Sequence, residues 1–195
     1  MKLKVYAADI TNLTDARYFA AMGADYLGFH CDEGHPSFIA KAKIREIMDW
    51  VEGPQGILFF SGWQDINIME SLLNITGCTG LHVGLAYTLH HVQSPILFRD
   101  ALPDMVSNFD SAKDLNIVIR MGTEFLSDNP DEVSQLYKLC REYSCFLDFG
   151  QLPENLLPLL EEIQPSGIVL RGGAEEKTGV KSFDYLDALF DTLQG

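Results

Sequence analysis

Eight short apolar runs recur along the 195 residues of this chain, separated by longer stretches with helical spacing, and this alternation restricts the fold more than any other feature. The runs are Leu3–Ala8, Tyr26–His30, Gly56–Ser61, Thr79–Val83, Pro95–Arg99, Asn116–Arg120, Cys145–Phe149 and Gly167–Arg171. They begin about every 16–30 residues, roughly the length a βα unit needs. Most are almost continuously apolar, as in Ile57-Leu58-Phe59-Phe60 and Ile168-Val169-Leu170, rather than alternating with polar residues. Strands read that way when both faces are covered, as in a parallel sheet flanked by helices.

The intervening segments carry helix punctuation. Ser127-Asp128-Asn129-Pro130-Asp131-Glu132 supplies a polar cap, a proline for the first turn and early acids. Pro153-Glu154 opens another helix in the same manner, and Met22-Gly23 reads as a glycine stop after the first. The stretch from Leu85 to Gln93 is short and carries the weakest helix signal. No Pro/Gly/Ser-rich linker interrupts the pattern, so one domain over residues 1–195 is expected. Eight βα units close into an α/β fold of the (β/α)8 TIM barrel type. A doubly wound open sheet is the alternative, but no GxGxxG follows the first run.

The formal net charge of -14 would repel the phosphates of a nucleic acid, so no nucleic-acid partner is expected. A small phosphorylated ligand responds more to local amides and arginines than to the global field. No apolar run approaches the roughly 18–20 residues of a membrane helix, and Met1-Lys2-Leu3-Lys4-Val5-Tyr6 does not read as a signal peptide. A cytoplasmic protein without a membrane partner, monomeric or homodimeric, is the expectation. Cys31, Cys78, Cys140 and Cys145 form no CxxC pair and read as reduced, packed thiols.

In a βα barrel, function gathers at the carboxyl ends of the strands. Those ends offer Asp9, the segment His30-Cys31-Asp32, Ser61, His82, Arg99-Asp100, Arg120, Asp148, and Arg171-Gly172-Gly173. Such a set is either a mutually neutralising network of arginine and aspartate or an anion-binding pocket. Gly150 follows the seventh run, and Gly172, Gly173 and Gly179 follow the eighth, where barrels commonly cradle phosphate on backbone amides. His30, Cys31, Asp32 and His35 lie close in sequence, but their spacing fits no specific zinc pattern, so no metal is expected.

Several segments resemble the phosphoribosylanthranilate isomerase family, the tryptophan-pathway barrel. Ile10-Thr11-Asn12-Leu13-Thr14-Asp15-Ala16 is similar to the family's ITNLEDA start, and Gly23-Ala24-Asp25-Tyr26-Leu27-Gly28-Phe29 to its GADALGF strand. His35-Pro36-Ser37-Phe38-Ile39 falls on SPRYI, and Leu81-His82 on QLHG. Leu147 to Asn155 falls on LAGGLNPEN, and Gly167 to Lys181 on GVDVSSGVESSPGVK, without a gap. The resemblance runs over most of the chain. It implies the same barrel, a phosphate site in which Gly150 and Gly173 match, and no cofactor.

It also implies a vacated catalytic pair. The family's reaction is an Amadori rearrangement, which needs a general acid for the ring oxygen and a general base for a carbon-bound proton. The base is a cysteine in KICGITN; Ala8 falls there, with Asp9 on the glycine that follows. The acid is an aspartate ending the sixth strand; Arg120 falls there, and a guanidinium with a pKa above about 12 releases no proton near neutrality. The arginine that contacts the anthranilate carboxylate falls on Ser37, the eighth-strand aspartate on Val169, and one seventh-strand glycine on Phe149. The glycine loop after the sixth strand is not recognisable.

Three functions stay open on this evidence. One is the isomerase reaction by a rewired site, with Asp9 as base, Asp148 as acid partner, and His82 and Arg120 beside them. The second is another enzyme acting on an anionic metabolite held by Arg99, Arg120 and Arg171, in which Asp9 or His82 moves protons. The third is a barrel that binds or regulates without catalysis. In each, Gly150, Gly172 and Gly173 are the expected phosphate contacts.

Overall fold

The computed structural model describes residues 3–85, 94–102, 115–121, 130–172, 175–177, 180–181 and 183–194. Eight parallel strands close into a barrel in sequence order: β1 (Lys4–Ala8), β2 (Tyr26–His30), β3 (Gln55–Phe60), β4 (Gly80–Val83), β5 (Ile96–Ala101), β6 (Asn116–Arg120), β7 (Ser144–Asp148) and β8 (Gly167–Arg171). The seam pairs β1 with β8 from Lys4↔Gly167 to Ala8↔Arg171. The described helices are α1 (Leu13–Ala21), α2 (Lys41–Trp50), α3 (Ile66–Thr76), α4 (Pro130–Glu142), α5 (Leu156–Ile163) and α6 (Asp184–Gln194). A small antiparallel pair, β9 (Glu175–Lys177) and β10 (Val180–Lys181), follows β8. The TIM barrel read from the alternation is therefore present. The segment from Leu85 to Gln93, expected as a short helix, lies outside the described residues beyond Leu85, as do residues 127–129 of the cap before α4.

Local chemistry accounts for the helix ends. Asn12 caps α1 by accepting the backbone N–H of Asp15 at 2.9 Å, and α1 stops at Met22-Gly23 with Gly23 at φ 77°. Asp65 caps α3 through the N–H of Asn67, and α3 ends at Gly77 in the left-handed conformation, φ 76°. The pattern of α4 places Val133, Leu136 and Leu139 on one buried face.

Strand alternation divides the core in two. Side chains such as Ala7, Leu27, Phe29, Leu58, Leu81, Val83, Ile119, Leu147 and Leu170 point outward and meet the helices. Tyr6, Tyr26, Ile57, Phe98, Val118, Phe146 and Val169 point inward and fill the barrel. Four of these are aromatic, a heavier filling than the branched aliphatics usual inside such barrels. Tyr26 meets Phe98 edge-to-face at 5.0 Å and Phe98 meets Phe146 at 5.1 Å. Tyr6 reaches across β2 at Gly28, where a Cβ would stand 2.6 Å from the phenol oxygen, so only glycine admits that ring. These rings fill the lower part of the barrel interior. Among the described residues no helix is long and apolar enough to cross a membrane.

Candidate functional site

Inward-facing positions at the strand ends converge on one cavity of about 100 Å³. Its lining includes Ala8, Asp9, His30, His82, Arg120, Asp148 and Arg171. Tyr6, Gly28, Phe59 and Val118 also line it. Asp9, His82, Arg120, Asp148 and Arg171, each expected at the site, are brought together here. Arg99 is not. It alternates with the inward Phe98 and Asp100 on β5 and lies on the helix side of that strand. β5 runs two residues beyond the expected end at Arg99, and Asp100 on its inward side meets His82 and Arg120 behind the cavity lining.

The charges are largely paired with one another. Arg171 grips Asp148 through both terminal nitrogens, at 2.6 and 2.8 Å, and its Nε donates to Asp9 at 2.8 Å. Asp148 is 5% exposed. Burial works against its ionised form, but the Arg171 hydrogen bonds and charge, with the Gly150 amide, hold its carboxyl below the usual carboxylate range. The same bonds raise the Arg171 guanidinium above its ordinary value. The role of acid expected for Asp148 calls for a pocket that raises its pKa, and the contacts with Arg171 and Gly150 favour the ionised form instead. Asp9 follows β1 with φ 58°, a left-handed conformation that favours glycine and that aspartate tolerates. That explains why the family match sets Asp9 on a glycine.

A second group centres on Asp100, which is also buried. Its Oδ2 accepts Arg120 Nη2 at 2.9 Å and its Oδ1 lies 3.0 Å from His82 Nε2. Burial opposes its charge, but His82 and Arg120 outweigh that and lower its pKa. The other ring nitrogen of His82, Nδ1, lies 3.1 Å from the Tyr6 hydroxyl. Phe59 stacks on the His82 ring at 4.1 Å, and Arg120 lies 5.6 Å from the centre of Phe59. Arg120 is 40% exposed, and its buried Nε has no hydrogen-bond partner among the described residues.

His30 and His35 stack face to face at 3.6 Å on the cavity wall. Burial, and then His35, lower the His30 pKa. Asp32 accepts the amides of Ser61 and Gly62 and so ties the β2 loop to the β3 loop. Among the described residues no cluster of three or more His, Cys, Asp or Glu side chains is placed to hold a metal. The four cysteines are reduced; Cys78 and Cys145 belong to the outer core, and Cys31 and Cys140 pack against it, away from the cavity.

A neighbouring cavity of about 270 Å³ shares Val169 and Arg171 with the first and is bounded by Gly150, Leu152, Gly172 and Tyr185. Gly150 has φ 67°. Gly173 and Gly179, expected with them, lie outside the described residues. Reading from the sequence missed Tyr6 and gave Asp100 no role. The alternation on β1 and β5 carried both: Tyr6 stands two residues before Ala8, and Asp100 two after the inward Phe98.

No family model matches the chain. Curated relatives do. N-(5'-phosphoribosyl)anthranilate isomerase of Nostoc punctiforme is 26% identical over 98% of this chain and 98% of its own length. That of Sulfolobus acidocaldarius is 28% identical over 92% and 90%. Over almost its whole length this chain resembles the phosphoribosylanthranilate isomerases. The barrel agrees with solved phosphoribosylanthranilate isomerase structures: Thermotoga maritima at TM-score 0.80 and 16% identity, covering 99% of both chains, and Thermus thermophilus at 0.75 and 22%, covering 98% of both. A phosphoribosylanthranilate isomerase bound to reduced 1-(o-carboxyphenylamino)-1-deoxyribulose 5-phosphate also superposes, at TM-score 0.79 and 16% identity over 99% of both chains.

Proposed function

We propose that this isomerase-family barrel binds a small phosphorylated metabolite at the carboxyl ends of its strands and does not rearrange phosphoribosylanthranilate. One observation carries the reading. Ala8 and Arg120, which match the family's thiol base and carboxyl acid, both line the cavity, so no shift of strand register brings another thiol or carboxylic acid into those two places. The carboxylates next to them do not substitute, because Arg171 binds both Asp9 and Asp148. The cavity holds about 100 Å³ and opens beside a second of about 270 Å³ that shares Val169 and Arg171, so a ligand longer than a single ring extends across both.

The phosphate is assigned to the cavity beside Gly150 and Gly172, where Arg171 stands at its wall. Arg120, partly exposed and with one unpartnered N–H, supplies the positive charge on the other side of the mouth. Two measurements test this. Loss of phosphoribosylanthranilate fluorescence is expected to match a buffer blank, and turnover above it overturns the reading. Titration calorimetry with ribulose 5-phosphate is expected to show one site; a flat titration counts equally against it.

A further inference from the structure

The cavity floor holds a hydroxyl, a base and an orienting carboxylate in line. We propose that Tyr6, His82 and Asp100 form a proton relay that exchanges the hydrogen on the carbon beside the carbonyl of a small phosphorylated ketose or aldose. The proposal rests on the mouth being a phosphometabolite site.

The order of the relay follows from its partners. Asp100 is bound to Arg120 and ionised, so it accepts from the Nε2–H of His82. In the tautomer that carries its hydrogen on Nε2, Nδ1 is the acceptor, and the Tyr6 hydroxyl 3.1 Å away is placed to donate to it. Tyr6 and His82 line the cavity, whereas Asp100 stands behind them. This is the arrangement of an activated hydroxyl: a hydroxyl on a base, and the base turned by a third group. Phe59 stacked on the imidazole keeps the ring in plane, and the rings of Tyr26 and Phe98 hold the phenol.

The step balances without a further reactant. The C–H bond beside the carbonyl breaks and its proton goes to the phenol oxygen. The phenol proton passes to His82 Nδ1, giving an imidazolium paired with Asp100. The C–H electron pair becomes the enol double bond, and the carbonyl π pair moves onto oxygen, where Arg120 offsets the charge. Return of a proton by the reverse path restores the carbonyl and completes an exchange at the same carbon.

The test uses the whole chain with ribulose 5-phosphate in heavy water, with deuterium uptake followed by NMR and affinity by calorimetry. The wild type is expected to bind and to exchange deuterium. Tyr6→Phe and Asp100→Asn are expected to bind within about threefold of wild type and to lose at least ~100-fold in exchange, the scale of one acid–base contribution. Tyr18→Phe, which removes a phenol from α1, is expected to exchange like wild type. In wild type the ¹⁵N spectrum of His82 is expected to show Nε2 protonated and Nδ1 bare, and in Asp100→Asn that preference is expected to weaken. Binding without exchange in the wild type overturns the relay and leaves the binding site standing. Exchange that survives in Tyr6→Phe also overturns it. Absence of binding overturns both readings together.

Discussion

Replacing Arg171 with methionine tests the electrostatic description of the mouth most directly. The substitution keeps most of the side-chain volume and deletes the guanidinium. Asp148, 5% exposed, then loses two hydrogen bonds of 2.6 and 2.8 Å and keeps only the Gly150 amide at 3.1 Å. Breaking a buried pair by removing one partner costs about 3–5 kcal/mol, because the remaining charge is uncompensated. The partly buried pair with Asp9 adds about 1 kcal/mol. The pH dependence gives the reasoning its sign. In the wild type the Asp148 pKa is below its unfolded value, so its contribution is complete above the unfolded value of about 3.9 and is lost as pH falls through the folded one. In the variant the unpaired carboxyl is destabilised by burial, its folded pKa rises above about 3.9, and the penalty fades as pH drops toward that value. Urea unfolding of both proteins at pH 7 and pH 4.5 should therefore give a gap of ~3–5 kcal/mol that narrows at the lower pH. Adding Asp148→Asn to the variant should restore part of the loss in a double-mutant cycle. A gap equal at both pH values, or below about 1 kcal/mol at pH 7, would refute the description.

Further outcomes follow from the same geometry. Phe98→Ala empties the centre of the barrel and should cost about 3–5 kcal/mol in denaturant unfolding. Asp9→Gly removes one half-exposed ion pair but relieves a left-handed backbone, so its melting temperature should stay close to wild type, whereas Asp9→Val should lower it clearly. Ala8→Cys alone should give no loss of phosphoribosylanthranilate fluorescence, since no acid partner returns with it; any turnover would show that a second group already serves.

Much of the architecture was legible in the residues because apolar runs that face both a helix layer and a barrel interior have little freedom to be anything else. Tyr26–His30, Asn116–Arg120 and Gly167–Arg171 coincide with their strands to the residue. β5 was read short because Asp100 is charged, and charge ends an apolar run even where His82 and Arg120 neutralise it. The charged set at the mouth was visible, but its pairing was not. That Arg171 holds Asp148 depends on two strands meeting in space. Tyr6 escaped notice because a tyrosine in an apolar strand looks like packing until His82, 76 residues away, is seen at its hydroxyl.

The bonds of Arg171 also bear on how the chain can be assembled. This one side chain joins the last strand to Asp148 just before it and to Asp9, 162 positions earlier. A growing polypeptide that has not yet made β8 has an unpaired ladder on both β1 and β7 and two acids without their cation. Closure of the ring and neutralisation of its rim thus arrive together when β8 is in place, and until then an incomplete barrel is exposed to pairing with another copy.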